Sequence, residues 1–297
     1  MQQSPRPTDM LSGIALTVLA CFLLAGMDSL GKYLMQQQLH PSQVVWARYT
    51  FHTLLVAALF APRHHRAFLR PQRPLLQVLR GLCLLGVTAG MYFAIRTIPL
   101  ADATAIMFLA PVLVTLLAGW LLGETVRGVH WLALAIGFAG VLMIIQPGFR
   151  SVEPVMLLPL GSAFLLACYF VITRYLRDQD SELTTLFHTT ATGSIGMSVA
   201  VVFFWIQPQP LQWLLLICVG ILGASGHLLL IRAFHRVSAS ALSPYLNAQI
   251  LAAAVYSTWF FKDPLSSGFI LGALMIAGAG ILTWYFSQAS HRTRAMD

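Results

Sequence analysis

The chain has 297 residues, of which 58% are hydrophobic and only 9% charged, with a formal net charge of +8. A water-soluble domain carries roughly 25% charged residues, so this composition excludes a protein solvated on all sides. Apolar runs long enough to cross a hydrocarbon core of roughly 30 Å as helices are predicted at 11–33, 42–61, 75–95, 101–122 and 130–146. Five more follow at 155–173, 183–206, 211–231, 238–261 and 266–286, and the connections between runs are too short for a soluble domain. Val18-Leu19-Ala20-Cys21 is similar to a lipoprotein cleavage site, but the apolar run continues past Cys21 and a counterpart returns in mid-chain. The first run is therefore read as a membrane helix rather than a leader. Cys21, Cys83, Cys168 and Cys218 all fall inside runs without metal spacing and read as small hydrophobes.

Position explains the basic excess better than a nucleic-acid partner does. With both termini cytoplasmic, most of the 18 basic residues fall in inner segments, Arg80 counted among them, while Lys32, Arg96, Arg150 and Lys262 lie outside. Arg48 lies within a span. That bias is the positive-inside pattern of a multi-pass membrane protein.

The sequence also repeats itself. Phe22-Leu23-Leu24-Ala25 returns as Phe164-Leu165-Leu166-Ala167, and Ala139-Gly140-Val141-Leu142 returns as Ala279-Gly280-Ile281-Leu282. Between them Trp120 falls on Trp259 and Glu124 on Asp263, an offset of about 140 positions throughout. Two halves of five spans each, an odd number, must enter the membrane in opposite senses. The predicted fold is thus an all-α integral membrane protein of ten helices, arranged as two inverted five-helix repeats around a central cavity. The first repeat covers residues 10–148 and the second 155–287, with 1–9 and 288–297 as cytoplasmic tails. Gly137, Gly140, Gly272, Gly278 and Gly280 are expected at close helix contacts.

Polar groups within the spans are the candidates for function, because each is costly in hydrocarbon unless partnered. Asp28 and Arg48 lie about 9 Å and about 6 Å from the outer ends of their spans by helical rise, so an ion pair between them is expected. Lys32, one turn past Asp28, is a competitor for it. The pair reads either as an outer gate or substrate grip, or as a structural pair fixing helix register. Asp102 at the outer start of span four adds a second carboxylate. Met107 and Phe108 precede Pro111, which breaks a backbone bond near the middle of that span. Tyr245, Asn247 and Gln249 cluster beside Pro244 in span nine, and amides at the midplane read as cavity-lining or as helix–helix hydrogen bonds. Tyr92 and Tyr169 are candidate aromatic walls.

Gly223-Ala224-Ser225-Gly226 before His227 is similar to the Gly-x-Ser-Gly element of rhomboid intramembrane proteases. A nucleophilic serine needs a base within hydrogen-bond reach, and His227 is too near on the same helix to serve. A remote base, His188, would be required, and the repeat counterpart Leu84–Val87 contains no serine. No zinc-protease or P-loop motif is present. Paired His64-His65 reads as part of a solvated inner loop rather than as a metal site.

Taken together, Met27-Asp28 through Lys32, Trp46-Ala47-Arg48-Tyr49, Pro99-Leu100-Ala101-Asp102-Ala103, Phe108-Leu109-Ala110-Pro111, Gly123-Glu124 and Gly137–Val141 resemble the drug/metabolite transporter superfamily, in its ten-helix EamA-type branch. The resemblance covers about residues 10–287. It implies a basket of helices in which spans one, three, four, six, eight and nine surround the substrate. That placement puts Asp28, Tyr92, Met107, Tyr169, His227, Tyr245 and Asn247 near it and leaves Arg48 as a gating residue. The implied protein is no enzyme and needs no cofactor or resident metal. It is a bacterial inner-membrane secondary transporter moving a small polar or zwitterionic metabolite by alternating access, with efflux as the expected direction. Protons are the candidate coupling ion, through Asp28 or His227, and the carrier would be a monomer or homodimer. The alternatives are an uptake carrier for a larger riboflavin- or nucleoside-like molecule, a non-transporting membrane scaffold, and the intramembrane serine protease.

Overall fold

The computed structural model describes residues 7–60, 69–122, 128–146, 154–176, 179–237 and 242–294. Described residues form helices and short turns, with no strand among them. In chain order the helices are α1 (Pro7–Gln36), α2 (Pro41–Phe60), α3 (Pro74–Ile95), α4 (Leu100–Met107), α5 (Ala110–Leu122), α6 (Gly128–Ile145), α7 (Leu157–Leu176), α8 (Glu182–Val201), α9 (Pro210–Arg236), α10 (Ala248–Phe260) and α11 (Ser267–Arg294). Short 3₁₀ turns at Pro154–Met156 and Ser243–Asn247 lead into α7 and α10, and one at Val202–Phe204 follows α8.

Local chemistry accounts for where these helices start. Pro7, Pro41, Pro74 and Pro210 each stand first in a helix, where the missing N–H would have had no partner. Ser181 caps α8 by accepting from the Thr184 amide at 3.1 Å, and Ser266 does the same for α11 from Phe269 at 3.0 Å. Ahead of α2, His40 Nδ1 accepts from the Ser42 amide at 3.3 Å. Its imidazole stacks on Phe204 at 4.5 Å between ring centroids. Burial, with the Arg96 charge as a second cause, lowers the pKa of His40, which keeps that nitrogen available as an acceptor.

Eight helices among the described residues are long and apolar enough to cross a bilayer, α4 and α5 counting together as Leu100–Leu121. Helix α2 has 20 residues but is more polar, carrying Gln43, Arg48, Thr50 and His52. The predicted span at 238–261 survives as a 3₁₀ turn plus the 13 residues of α10. Large side chains such as Leu75, Trp120, Phe203 and Trp259 remain more than 70% exposed, as residues facing lipid do.

The helices group into two compact units. One contains residues up to Gly26, Pro99–Glu153 and the chain from Ser225, hence α4, α5, α6, α10, α11 and parts of α1 and α9. Here α6 lies along α11, α4 packs on α10 and α11, and α5 on α6. The other contains Met27–Ile98 and Pro154–Ala224, hence α2, α3, α7, α8 and the remaining parts of α1 and α9. In it α3 packs on α7 and α8, and α2 on α8. Gln43 fastens α2 to the end of α8, donating from Nε2 to the Ile206 carbonyl at 2.6 Å and accepting from the Ile206 amide at 3.1 Å. Cys21 is buried, and Cys83, Cys168 and Cys218 are half-buried free thiols.

Helices α6 and α11 cross at Gly140 and Gly272. A Cβ at Gly140 would stand 2.7 Å from the Gly272 carbonyl oxygen and 3.1 Å from Met275 Cβ, so backbone meets backbone there. Gly137 is also a close contact, 2.6 Å from Leu109 Cδ1 by the same measure. The expectation fails at Gly278 and Gly280, where an added Cβ meets nothing within 4 Å because both lie off the crossing. Gly123, Glu124, His64 and His65 lie outside the described residues. Gly140→Ala should lower stability by about 1–3 kcal/mol through overpacking, whereas Gly280→Ala should leave it unchanged. Thermal unfolding of both variants in detergent checks this; equal midpoints would remove the assigned crossing.

Candidate functional site

The unit holding α2 and α3 gathers charge where lipid-facing helices carry none. Asp28 on α1 and Arg48 on α2 form an ion pair, Nη1 to Oδ1 at 3.6 Å, with side chains only 12% and 14% exposed. That separation is electrostatic contact without a formed hydrogen bond, and Asp28 Oδ1 accepts none. Tyr92 on α3 is wholly buried beside them, its ring centroid 5.9 Å from the Arg48 guanidinium carbon. Its hydroxyl makes no hydrogen bond of good geometry, yet it interacts with both Asp28 and Arg48. Gly31, one turn after Asp28, is what lets that ring lie against α1, since a Cβ there would stand 2.9 Å from Tyr92 Cζ. The Tyr49 ring flanks the guanidinium carbon at 5.9 Å on its other neighbour. Its hydroxyl bonds Thr88 Oγ1 at 2.9 Å, and Thr88 donates onward to the Leu84 carbonyl at 3.0 Å. Lys32 does not take Asp28 from Arg48: its Nζ donates to the Ile98 carbonyl at 3.1 Å, at the turn between α3 and α4.

Toward the Pro74 end of α3 lies a second polar cluster that sequence reasoning missed. Arg80 reads in the sequence as a basic residue of an inner segment, yet it is 1% exposed. Its Nη1 donates to Thr173 Oγ1 at 3.1 Å and its Nη2 to the Thr185 carbonyl at 2.8 Å and to Thr189 Oγ1. The Tyr169 ring lies 4.8 Å from its guanidinium carbon. Nearby, Gln77 donates to Asp180 Oδ2 at 2.8 Å, and the Gln72 amide donates to Asp180 Oδ1 at 2.8 Å. Gln77, Arg80, Thr88 and Tyr92 are all buried and recur at helical spacing on one face of α3. That stripe was visible in the sequence as polar residues in steps of three, eight and four, and it outweighs the proximity of Arg80 to the end of an apolar run.

The other unit holds the remaining predicted residues. Asp102 is buried in the first turn of α4, and Met107 is that helix's last residue. The helix then tightens, with Phe108 and Leu109 amides donating three residues back to Ala105 and Ile106, both at 3.1 Å. Pro111, lacking an N–H, sits just inside α5. Tyr245 and Asn247 occupy the 3₁₀ turn Ser243–Asn247, and Gln249 the start of α10. Tyr245 is 37% exposed, and Asn247 and Gln249 are half-buried. The Cys21 thiol donates to the Leu246 carbonyl at 3.6 Å, tying α1 to that turn. His227 is half-buried on α9, a continuous helix that turns Ser225 and His227, two residues apart, to opposite faces. The two therefore form no nucleophile–base pair.

Residues 11–146 and 154–285 each match the EamA-like transporter family. The chain belongs to that family. An S-adenosylmethionine uptake transporter of Rickettsia prowazekii is 27% identical over 282 residues, covering 94% of this chain and 95% of that one. A pseudopaline exporter of Pseudomonas aeruginosa is 29% identical over 276 residues, covering 91% and 95%. A riboflavin transporter of Vibrio cholerae is 24% identical over 218 residues, covering 72% of each chain. A crystal structure 18% identical to this EamA-like chain has the same fold, with a TM-score of 0.61 over 96% of this chain and 99% of that one. The resemblance to the drug/metabolite transporter superfamily thus holds, and the protease reading is set aside, since these relatives are named as transporters. This is a multi-pass membrane protein of a bacterial transporter family.

Breaking the Asp28–Arg48 pair should be worse than deleting it. Arg48→Gln leaves a carboxylate uncompensated and is expected to cost about 3–5 kcal/mol, while Asp28→Asn combined with Arg48→Gln recovers most of that. Thermal unfolding of the single and double variants decides it; a double variant no more stable than Arg48→Gln would mean the pair does not set the balance.

Proposed function

We propose that this EamA-like protein is a secondary carrier that exports a small zwitterionic metabolite across the bacterial inner membrane by alternating access. Its ten spans form two inverted repeats with both termini cytoplasmic. The contact pattern supports this arrangement. Helices α2 and α8 are spans two and seven, α6 and α11 are spans five and ten, and each packs on its own counterpart. The helix breaks agree as well. Spans four and nine are interrupted at corresponding places, after Met107 and at Ser243–Asn247, and each continues as a 13-residue helix. Interrupted spans at matching positions of two halves are where such carriers place substrate and coupling ions, which favours Met107, Pro111, Tyr245, Asn247 and Gln249 as neutral contacts.

The observation that carries the reading is the enclosed Asp28–Arg48 pair at 3.6 Å, with the Tyr92 hydroxyl interacting with both charges. A zwitterion can replace each charge with its own: its ammonium meets Asp28 while its carboxylate meets Arg48. The exchange leaves no buried charge uncompensated, so it avoids the penalty that opening the pair in hydrocarbon would otherwise impose. S-Adenosylmethionine, named for a relative, carries such an α-amino carboxylate. A neutral flavin offers neither charge, which ranks riboflavin-like uptake second despite the riboflavin transporter relative.

Two measurements test this. In proteoliposomes given a proton gradient, Asp28→Asn should lower transport of labelled S-adenosylmethionine roughly 30-fold, equivalent to about 2 kcal/mol of lost charge pairing. Transport unchanged by that substitution would remove Asp28 from the mechanism, and accumulation only in right-side-out vesicles would reverse the direction. For the inverted repeat, reporters fused at Gln38 and at Asp180, the corresponding connections of the two halves, should report opposite faces of the membrane. The same face for both would mean a parallel duplication.

A further inference from the structure

Arg80 is a positive charge whose direct hydrogen-bond partners are all neutral. It is 1% exposed, and its partners are the Thr173 and Thr189 hydroxyls, the Thr185 carbonyl and the face of Tyr169. Its Nε has no hydrogen-bond partner at all. The Asp180 carboxylate attracts it electrostatically, but its hydrogen bonds go to Gln77 and to the Gln72 backbone amide rather than to Arg80. A guanidinium held away from water with no carboxylate bonded directly to it is costly in a membrane protein, and charged groups in such places serve ligands or ion pathways.

The two threonines are built to let go. Thr173 Oγ1 donates to the Tyr169 carbonyl at 2.6 Å, and Thr189 Oγ1 donates to the Thr185 carbonyl at 2.7 Å, each four residues back on its own helix. Both hydroxyls therefore stay hydrogen-bonded when Arg80 leaves them. An oxyanion makes shorter and stronger bonds to a guanidinium than a hydroxyl does, and can engage it through two parallel N–H groups. Arg80 also shares its face of α3 with Thr88 and Tyr92, and stands about 18 Å along that helix from Tyr92. The two buried arginines of this unit thus stand near opposite ends of one polar stripe.

We propose that Arg80 is a second anion-binding residue of the transport pathway, taking the carboxylate of the transported molecule near the Pro74 end of α3 in exchange for the Thr173 and Thr189 hydroxyls. This rests on the zwitterion-carrier reading for its role in transport, and it requires only the carboxylate which that reading already gives the substrate. Tyr169 offers the carboxylate-bound guanidinium its ring face in both states. Enclosure inside the helix packing points to a soluble carboxylate rather than a lipid phosphate as the ligand.

The test uses the full chain purified in detergent, with acetate as the probe and chloride at equal ionic strength as the reference. Wild-type thermal stability should rise saturably with acetate. The rise should vanish in Arg80→Gln, need about tenfold more acetate in Arg80→Lys, which keeps the charge without the fork, and persist in Arg48→Gln. Thr189→Val should reach half-saturation at severalfold lower acetate, because a competitor has been removed. A purely structural clamp gives a different result: Thr189→Val less stable, with no change in acetate response. That outcome overturns the proposal, as does a wild type indifferent to acetate or a response that survives Arg80→Gln. Should Arg80→Gln fail to fold, Arg80→Lys and Thr189→Val decide between the two. Loss of S-adenosylmethionine transport with an intact acetate response would count against the carrier reading alone, and the converse against Arg80 alone.

Discussion

The hydrocarbon core of a bilayer offers no water to a polar group, so every charge and every backbone break within it must find its partner in the protein. This constraint organises the chain. It explains why most spans are apolar around their circumference and why the exceptions fall on few helices. Where α2 places Arg48 among the helices, Asp28 meets it from α1, and two tyrosines flank the guanidinium. Where Lys32 would be stranded, the carbonyl of Ile98 receives it. The Asp28–Arg48 contact is not the tightest such a pair can make. A pair locked by several short hydrogen bonds would hold one state, while a pair at 3.6 Å can change partners.

Arg80 illustrates the same constraint met in another way. Hydroxyls and a carbonyl make its direct hydrogen bonds, while the Asp180 carboxylate acts on it only electrostatically. Neutral ligands of this kind are the protein's substitute for water, and they are exchangeable because each threonine keeps its own helix carbonyl. The unit built on α3 therefore holds one arginine paired directly with a carboxylate, Arg48 on α2, and one, Arg80 on α3, whose direct partners are neutral.

The other unit meets the constraint through its backbone. Pro111 after α4 and the 3₁₀ turn before α10 interrupt helical hydrogen bonding, and three-residue bonds at Phe108 and Leu109 take up part of what the first break releases. Breaks of this sort persist only where side chains or a ligand complete the bonding, and Tyr245, Asn247 and Gln249 lie at the second of them. At the α6–α11 crossing, by contrast, Gly140 and Gly272 let two backbones touch, and the result is rigid packing.

Length and hydropathy by themselves determined that the chain is a helical membrane protein, because a span needs only enough apolar residues in a row. Periodicity and repeat offsets located Asp28, Arg48, Pro111 and the Tyr245–Gln249 segment, since depth in a helix follows from counting residues. The Asp28–Arg48 contact was foreseeable on that ground. Partnership was decided by tertiary structure wherever two candidates stood at similar depth: Lys32 lies as near Asp28 in sequence as any cation, yet it turns to Ile98. Arg80 was misread because a charge close to the end of an apolar run looks like a loop residue. Only the approach of α7 and α8, with Thr173, Thr185 and Thr189 in place, encloses it. Gly278 and Gly280 were misread for the mirror-image reason, since a small residue marks a contact only where another helix arrives. Sequence fixes how deep a side chain lies along its own helix, but the neighbour it meets depends on rotations and crossings of helices that no single run of residues encodes.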